Sequence, residues 1–240
     1  TADEPPAAPP ESTTQPWRRS PAPPSMVGQR GLLVTGATGA LGQRLVAHLS
    51  REPDGDDLLA LRRRSKTRTP RRLRGLSFIW RPQELHALVL RDVSTVVHLA
   101  SGGLRQSPRQ RRLADVEGTA ALVAACERDG VERLLYVSCL EAAGRADSDL
   151  ARRKREAEAL VRASRLDWMI LRPSEVLLPG GPRWRRLRAA LQGRLVNTTG
   201  RQETERPLFV HDLVTLLARL ARREHLGCEV HEIAGRATSE

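Results

Sequence analysis

The sequence predicts an α/β fold, a doubly wound parallel sheet in a single domain over residues 31–236. Three observations predict it. From Gly31 onward, short apolar runs alternate with helical hydrophobic periodicity, the pattern of βαβ units around a parallel sheet. A glycine-rich turn stands directly between the first apolar run and the first helical segment. A chain of 240 residues at 40% hydrophobic content also buries a core without help from disulfides or a metal.

Taken in order, strands are expected at Leu32–Thr35, Leu58–Leu61, Leu76–Trp80, Thr95–Leu99, Leu134–Ser138 and Trp168–Leu171. Amphipathic helices are expected at Ala40–Leu49, Pro82–Arg91, Gln110–Arg128 and Leu150–Ala163, with Pro82 suited to a first helical turn. From about Pro173 the chain turns to smaller elements on the substrate side. These are a helix near Trp184–Leu191, another near Asp212–Arg223 and a last strand near Glu229–Ile233. Ahead of the domain, residues 1–30 form a Pro-rich extended arm, with eight of the 16 prolines between positions 5 and 24. Residues 237–240 make a short tail. The chain starts at Thr1 and not at Met, as expected after removal of an organelle presequence.

Composition excludes several classes. The 3 cysteines, Cys126, Cys139 and Cys228, form no CxxC pair, which argues against a zinc module or a disulfide scaffold, and no metal site is expected. No apolar run reaches the ~18 residues of a membrane span. Aromatic content of 3% leaves little surface on which bases could stack. The net charge of +12 is local: the arm is neutral, while segments 62–74 and 183–194 carry eight and five basic residues and no acid. Such patches attract nucleic acid, anionic lipid or an acidic protein; equally, a coding bias toward arginine on solvated faces would produce them. Of the 40 basic residues only Lys66 and Lys154 are lysine, and Tyr136 is the 1 tyrosine.

The most specific motif is Thr35-Gly36-Ala37-Thr38-Gly39-Ala40-Leu41-Gly42, with a strand before it and a helix after it. Gly36 permits the tight turn, Gly39 lets the backbone approach a pyrophosphate, and Gly42 allows the helix to pack close on the strand. The helix N-terminus offers free N–H groups and a partial positive charge to the same anion. The motif therefore marks a Rossmann-type dinucleotide site. Cofactor choice is read at the end of the second strand, where an acid holds a ribose 2′-hydroxyl and an arginine accommodates a 2′-phosphate. Leu58–Leu61 runs into Arg62, Arg63 and Arg64, while Asp56 and Asp57 stand at its beginning. NADP(H) is favoured over NAD(H).

These residues resemble the short-chain dehydrogenase/reductase superfamily, in its extended and atypical branch, over about residues 31–235. Besides the glycine turn, Val96-Val-His-Leu-Ala100 resembles its fourth strand and Asp115-Val-Glu-Gly-Thr119 the opening of its next helix. Leu135-Tyr-Val-Ser-Cys-Leu-Glu-Ala142 resembles the strand carrying the family serine, and Leu171-Arg-Pro-Ser174 the turn near the nicotinamide. Phe209-Val-His-Asp-Leu213 matches a later block. The resemblance implies a cofactor site formed by Thr35, Gly36, Thr38, Gly39, Ala40, Leu41, Gly42, Arg62, Arg63, Leu99, Ala100, Ser138, Lys154, Pro173 and Ser174. Within the superfamily, Val137-Ser-Cys-Leu-Glu-Ala142 and Lys154-Arg-Glu-Ala-Glu158 are most similar to the subgroup around the NADPH-binding accessory subunit of mitochondrial respiratory complex I.

The family reaction uses a serine that positions a carbonyl, a YxxxK tyrosine that supplies the proton, and a lysine that binds ribose. Ser138 and Lys154 match, but Leu150 stands where the tyrosine belongs, and Asp115 replaces the usual asparagine. The missing acid is worth roughly 10²–10⁴-fold in rate. Ser138 and Lys154 are then vestigial, and the resemblance implies a non-catalytic subunit holding NADPH as a structural ligand. Its partners would be other subunits of a membrane-associated assembly, on the matrix side of the mitochondrial inner membrane.

Two alternatives stand beside that reading: an active NADPH-dependent reductase or epimerase that uses another acid or water, and an RNA-binding relative in an organellar ribosome or RNA complex. The Trp184, Leu187 and Leu191 stripe with its surrounding arginines fits either an anionic-lipid contact through 183–194 or an ordinary core-facing helix. Cys139 reads as a small buried thiol, with a redox-sensing thiol as the alternative, His98 and His211 as structural, and Asp212 as a helix cap.

Overall fold

The first strand, β1 (Gly31–Thr35), is buried along its whole length and is an interior strand of a seven-stranded sheet. The computed structural model describes residues 31–51, 58–63, 74–78, 89–103, 106–144, 147–181, 184–185, 188–189, 192 and 206–235, with backbone alone for 59, 61–63 and 74–78. The arm 1–30, Arg64, most of the expected helix Pro82–Arg91, most of 183–194 and the tail 237–240 lie outside the described residues.

After β1 come β2 (Leu58–Arg63), β3 (Arg74–Phe78), β4 (Val93–His98), β5 (Arg133–Val137), β6 (Asp167–Pro173), β7 (Val176–Leu177), β8 (Leu208–Phe209) and β9 (Glu229–Ile233). The sheet order is β3-β2-β1-β4-β5-β6-β9 with every pair parallel. The chain thus grows outward from β1 to β3, returns to β4, and grows outward the other way. The reversal opens a crevice between β1 and β4 at the strands' C-terminal ends, where open α/β sheets bind ligands. A separate two-stranded parallel sheet pairs β7 with β8. Sequence reading misses this pair, because two-residue strands carry no alternation.

Alternation of side chains sorts the strands onto two core layers. Leu32 and Val34 of β1, Leu135 of β5, and Met169 and Leu171 of β6 face one way. They pack on α1 (Ala40–Leu49) and the last helix, through Leu45, Leu213 and Leu217. Leu33, Leu134, Tyr136 and Ile170 face the other way, against Leu122, Cys126, Ala157 and Val161. Full burial of each such leucine stabilises the fold by about 1.5–3 kcal/mol.

The expected helix Gln110–Arg128 is three pieces: α2 (Pro108–Arg112), a π-helical turn (Leu113–Glu117) and α3 (Gly118–Asp129). It starts earlier than expected because Ser107 and Gln110 form a reciprocal capping box with Pro108 in the first turn. Gly130 ends it at φ 75 in the left-handed region that glycine enters freely. Next, α4 (Asp149–Arg162) opens where the Ser148 hydroxyl accepts the Ala151 N–H at 3.1 Å. The last helix, α5 (Val210–Leu220), begins directly after β8 with extended Phe209 at its N-cap. Asp212 therefore lies inside the first turn and is not the cap. Two strand bounds also differ: β3 starts at Arg74, two residues before its apolar run, and β5 ends at Val137, leaving Ser138 just beyond the ladder.

Candidate dinucleotide site

The turn after β1 is built so that only glycine fits. Gly36 has φ +67, and a Cβ there would lie 2.7 Å from the Ala100 nitrogen. A Cβ on Gly42 would lie 2.2 Å from the Gly36 carbonyl oxygen, and one on Gly39 3.2 Å from it. The Gly39 N–H donates to that same carbonyl at 2.9 Å, closing the turn. Gly39 then caps α1 with no side-chain hydrogen bond, and the first turn of α1 holds no acid. The first N–H groups of α1, from Ala40, Leu41 and Gly42, have no intrahelical acceptor. Backbone cradle, open helix N-terminus and crevice coincide, so these residues fit a pyrophosphate.

Register places the other expected cofactor residues along the same edge. Val34 pairs with Ala60, so Arg62 and Arg63 at the end of β2 stand level with the glycine turn. Their side chains lie outside the described residues. Thr35 pairs with His98, which brings Leu99 and Ala100 beside Gly36. Pro173 ends β6, and Ser174 is turned away, its hydroxyl donating to the Arg206 carbonyl at 2.7 Å. Thr38 is half-buried and its carbonyl accepts the Gln43 amide at 2.8 Å.

Thr35 and His98 belong to one buried chain of hydrogen bonds whose directions can be deduced. The Thr119 hydroxyl donates to the Asp115 carbonyl at 2.6 Å, so His98 Nε2 donates to Thr119 at 2.9 Å. The neutral ring then accepts from Thr35 at Nδ1, 2.7 Å away. The Thr35 oxygen in turn accepts the N–H groups of Leu99 and Ala100 at 3.2 and 3.3 Å. Burial holds the His98 pKa down to about 3, with the Lys154 charge acting in the same direction. His98 is structural, as the sequence indicates. Its ring fixes the loop that the dinucleotide turn touches.

The far side of the crevice is a set of charge pairs. Asp115 lies in the π turn, with both carboxylate oxygens engaged. Oδ1 accepts the Ser101 hydroxyl at 2.8 Å and the Gly102 N–H at 2.7 Å, and Oδ2 accepts Arg153 Nε at 2.7 Å. Arg153 also pairs with Asp149. Ser138 is buried, its hydroxyl donating to Glu158 Oε1 at 2.6 Å. Glu158 accepts Arg172 Nε at 3.0 Å and, on Oε2, Arg172 at 2.7 Å and Arg162 at 3.1 Å. Burial alone would raise the Glu158 pKa, but Arg172 and Ser138 hold it below the ordinary value. Ser138 is thus turned inward to a carboxylate. Neither Arg153 nor Glu158 is singled out by the motif reading. Their signal is helical spacing: Glu158 is one turn beyond Lys154, and Arg153 falls three residues after Leu150.

Lys154 is 6% exposed and donates to the Val137 carbonyl at 3.1 Å. Its ammonium lies 5.0 Å from the centroid of the Tyr136 ring. Burial lowers its pKa, opposed by Asp115, Cys139 and Glu158. Tyr136 lies in the core, and burial raises its pKa well above the usual value, so it offers no proton. Leu150 is half-buried on α4 at the expected tyrosine position. Cys139 is half-buried instead of buried, because it lies in the extended residue between β5 and the following 3-10 turn. His211 is exposed. Among the described residues no group of His, Cys, Asp and Glu could hold a metal ion, and no helix is long and apolar enough to cross a membrane.

Residues 36–194 match the sequence family described as NAD(P)H-binding. The chain belongs to that NAD(P)H-binding family. The match begins at the first glycine of the turn and takes in Ser138, Lys154, Pro173 and Ser174. Among curated proteins none matches the sequence. Similar solved structures hold NAD. MoeE5 in complex with UDP-glucose and NAD is 29% identical, with 85% of this chain aligned to 76% of that one at a TM-score of 0.65. The UDP-glucuronic acid 4-epimerase of Bacillus cereus, bound to NAD, is 18% identical over 86% of this chain and 78% of its own, with a TM-score of 0.68. WbmG of Bordetella bronchiseptica, bound to NAD and UDP, is 19% identical over 86% and 73%, with a TM-score of 0.69. The last two establish likeness of fold. This NAD(P)H-binding chain thus has the Rossmann-type fold of NAD-dependent epimerases and dehydratases. The comparisons lend no support to the narrower likeness to a complex I subunit.

Proposed function

We propose that the protein is an NADPH-dependent reductase or epimerase-type enzyme acting on a carbonyl or hydroxyl compound. Gly36, Gly39, Gly42 and the N-terminus of α1 would hold the pyrophosphate, and Arg62 and Arg63 the 2′-phosphate. When bound, the dinucleotide supplies or accepts a hydride; the chain's own residues orient the reactants and manage the proton. Lys154 is the observation that carries the reading from binding to turnover. Keeping an ammonium almost fully out of water costs several kcal/mol before its partners compensate. The chain keeps that ion against the Val137 carbonyl, next to Ser138, where the resemblance puts the family's proton chemistry. The likeness to MoeE5 and to the epimerases supports the same class.

The test combines fluorescence titration with NADPH and NADH and a turnover assay over a broad carbonyl panel that includes UDP-sugars. Tight NADPH binding with oxidation of at least one substrate class is expected. NADPH binding without any oxidation across the panel would sink the enzyme reading.

A second reading, in which the dinucleotide is a structural ligand of a larger assembly's subunit, is favoured by Leu150, a residue with no proton to give. Under it, NADPH would raise the unfolding temperature by mass action alone, and the protein would migrate with partners on native gels.

A further inference from the structure

We infer that Lys154 is the group that delivers the proton, acting directly on the substrate oxygen in place of the absent tyrosine; this rests on the enzyme reading above. Three observations place it there. Leu150 and Lys154 are four residues apart on α4 and so share one helix face, and no hydroxyl stands at position 150 to come between the ammonium and a substrate. Among the described residues Lys154 makes one hydrogen bond, to the Val137 carbonyl at 3.1 Å, and an ammonium has three donors. The third observation is compositional. Arginine supplies all but two of the 40 basic residues, and at a buried position an arginine cannot release its proton. The chain uses arginine for the fixed charges around this position, Arg153 on Asp115 and Arg172 on Glu158, and keeps lysine at position 154, against the Val137 carbonyl at the C-terminal end of β5.

The charged and titratable groups around Lys154 are Asp115 from the π turn, Tyr136 on β5, Cys139 beyond it, Arg153 and Glu158 on its own helix, and His98 on β4. Asp115 and Glu158 are each saturated by arginine, so neither competes for the lysine proton. Burial lowers the Lys154 pKa, which brings it toward the range of an effective acid. In the reductive direction the hydride for the new C–H bond would come from the bound reduced dinucleotide, which would be oxidised. As the carbonyl π bond breaks, its electron pair on oxygen takes a proton from Nζ. The products are an alcohol and a neutral amine, which water reprotonates.

The chain's two lysines make the test direct. Protein labelled with [13Cε]lysine gives two resonances, and Lys66→Arg assigns them. The Lys154 resonance is expected to titrate below that of Lys66, and an equal or higher midpoint would overturn the proposal. In parallel, Lys154→Arg and Lys154→Ala, each assayed at an NADPH concentration that saturates it, are expected to lose roughly 10²–10⁴-fold in turnover. Added alkylamines should restore part of the activity of Lys154→Ala, with a pH profile that follows the amine. Wild-type-like turnover in Lys154→Arg would refute the assignment while leaving the enzyme reading intact. An inert wild-type protein that binds NADPH would overturn both.

Discussion

Arg153 Nε lies 2.7 Å from Asp115 Oδ2, an ion pair joining α4 to the π turn with side chains 4% and 0% exposed. Asp115 passes the contact on to the loop after β4 through Ser101 and Gly102, so one carboxylate ties three segments around the crevice. Burial of a pair gives little net stability, but removing one partner strands the other charge. Asp115→Leu or Arg153→Met should therefore destabilise the protein by about 3–5 kcal/mol. Asp115→Leu combined with Arg153→Met should lose less than the two single losses added together. Urea denaturation of the four proteins checks this, and additive losses would contradict it.

The glycine turn makes a separable prediction. Gly42→Ala places a methyl group 2.2 Å from the Gly36 carbonyl oxygen, a backbone atom that can move only with the turn. Overpacking of this kind costs about 1–3 kcal/mol, and here it also displaces the N–H groups meant for pyrophosphate. The variant should fold with lowered stability and lose at least tenfold in NADPH affinity by fluorescence titration. Gly39→Ala is milder, since its Cβ lies 3.2 Å from the same oxygen. It should bind between wild type and Gly42→Ala, and the reverse order would count against the cradle.

The contrast between these two sites shows what the sequence makes legible. The glycine turn and most strand positions follow from local rules, short apolar runs for strands and a backbone that needs missing side chains. The Asp115–Arg153 and Ser138–Glu158 pairs do not, because their partners are 38 and 20 residues apart and meet only when α4 packs on the sheet. Ser138 illustrates the loss: its sequence context marks a substrate-facing serine, and the fold turns its hydroxyl to Glu158. The π turn was equally hidden, since nothing in its periodicity separates it from α-helix. The β7–β8 pair and the early start of α5 are set by contacts between distant segments.

His98 sets the acid side of the stability profile. Its folded pKa is lowered from 6.5 to about 3, chiefly by burial, so the folded state resists a proton that the unfolded chain accepts. The contribution is full above about pH 6.5 and is lost as pH falls from there toward about 3. Within that window stability should drop by up to about 1.4 kcal/mol per pH unit from this group. Glu158, whose folded pKa is also lowered, adds a loss of the same sign at the acidic end. His98→Gln should be less stable at neutral pH and show a flatter profile between pH 6.5 and 4.5, measured by urea denaturation across pH. An unchanged slope would mean that another group dominates acid unfolding.

The last prediction concerns cofactor choice. Register sets Arg62 and Arg63 at the C-terminal end of β2, level with the turn that holds the pyrophosphate. A 2′-phosphate at the ribose lies within reach of that end in a Rossmann-type site, and an arginine there recognises it by charge and paired hydrogen bonds. A charge-assisted hydrogen bond is worth about 1.5–3 kcal/mol, roughly a tenfold to hundredfold change in affinity. Arg62→Ala with Arg63→Ala should therefore weaken NADPH binding by that factor and leave NADH binding within a fewfold. The NADPH loss should also shrink at high salt, because screening weakens the charge term in the parent protein first. Equal losses for both nucleotides would assign these arginines to the fold or to the solvated surface, and the preference for NADPH would have to come from elsewhere.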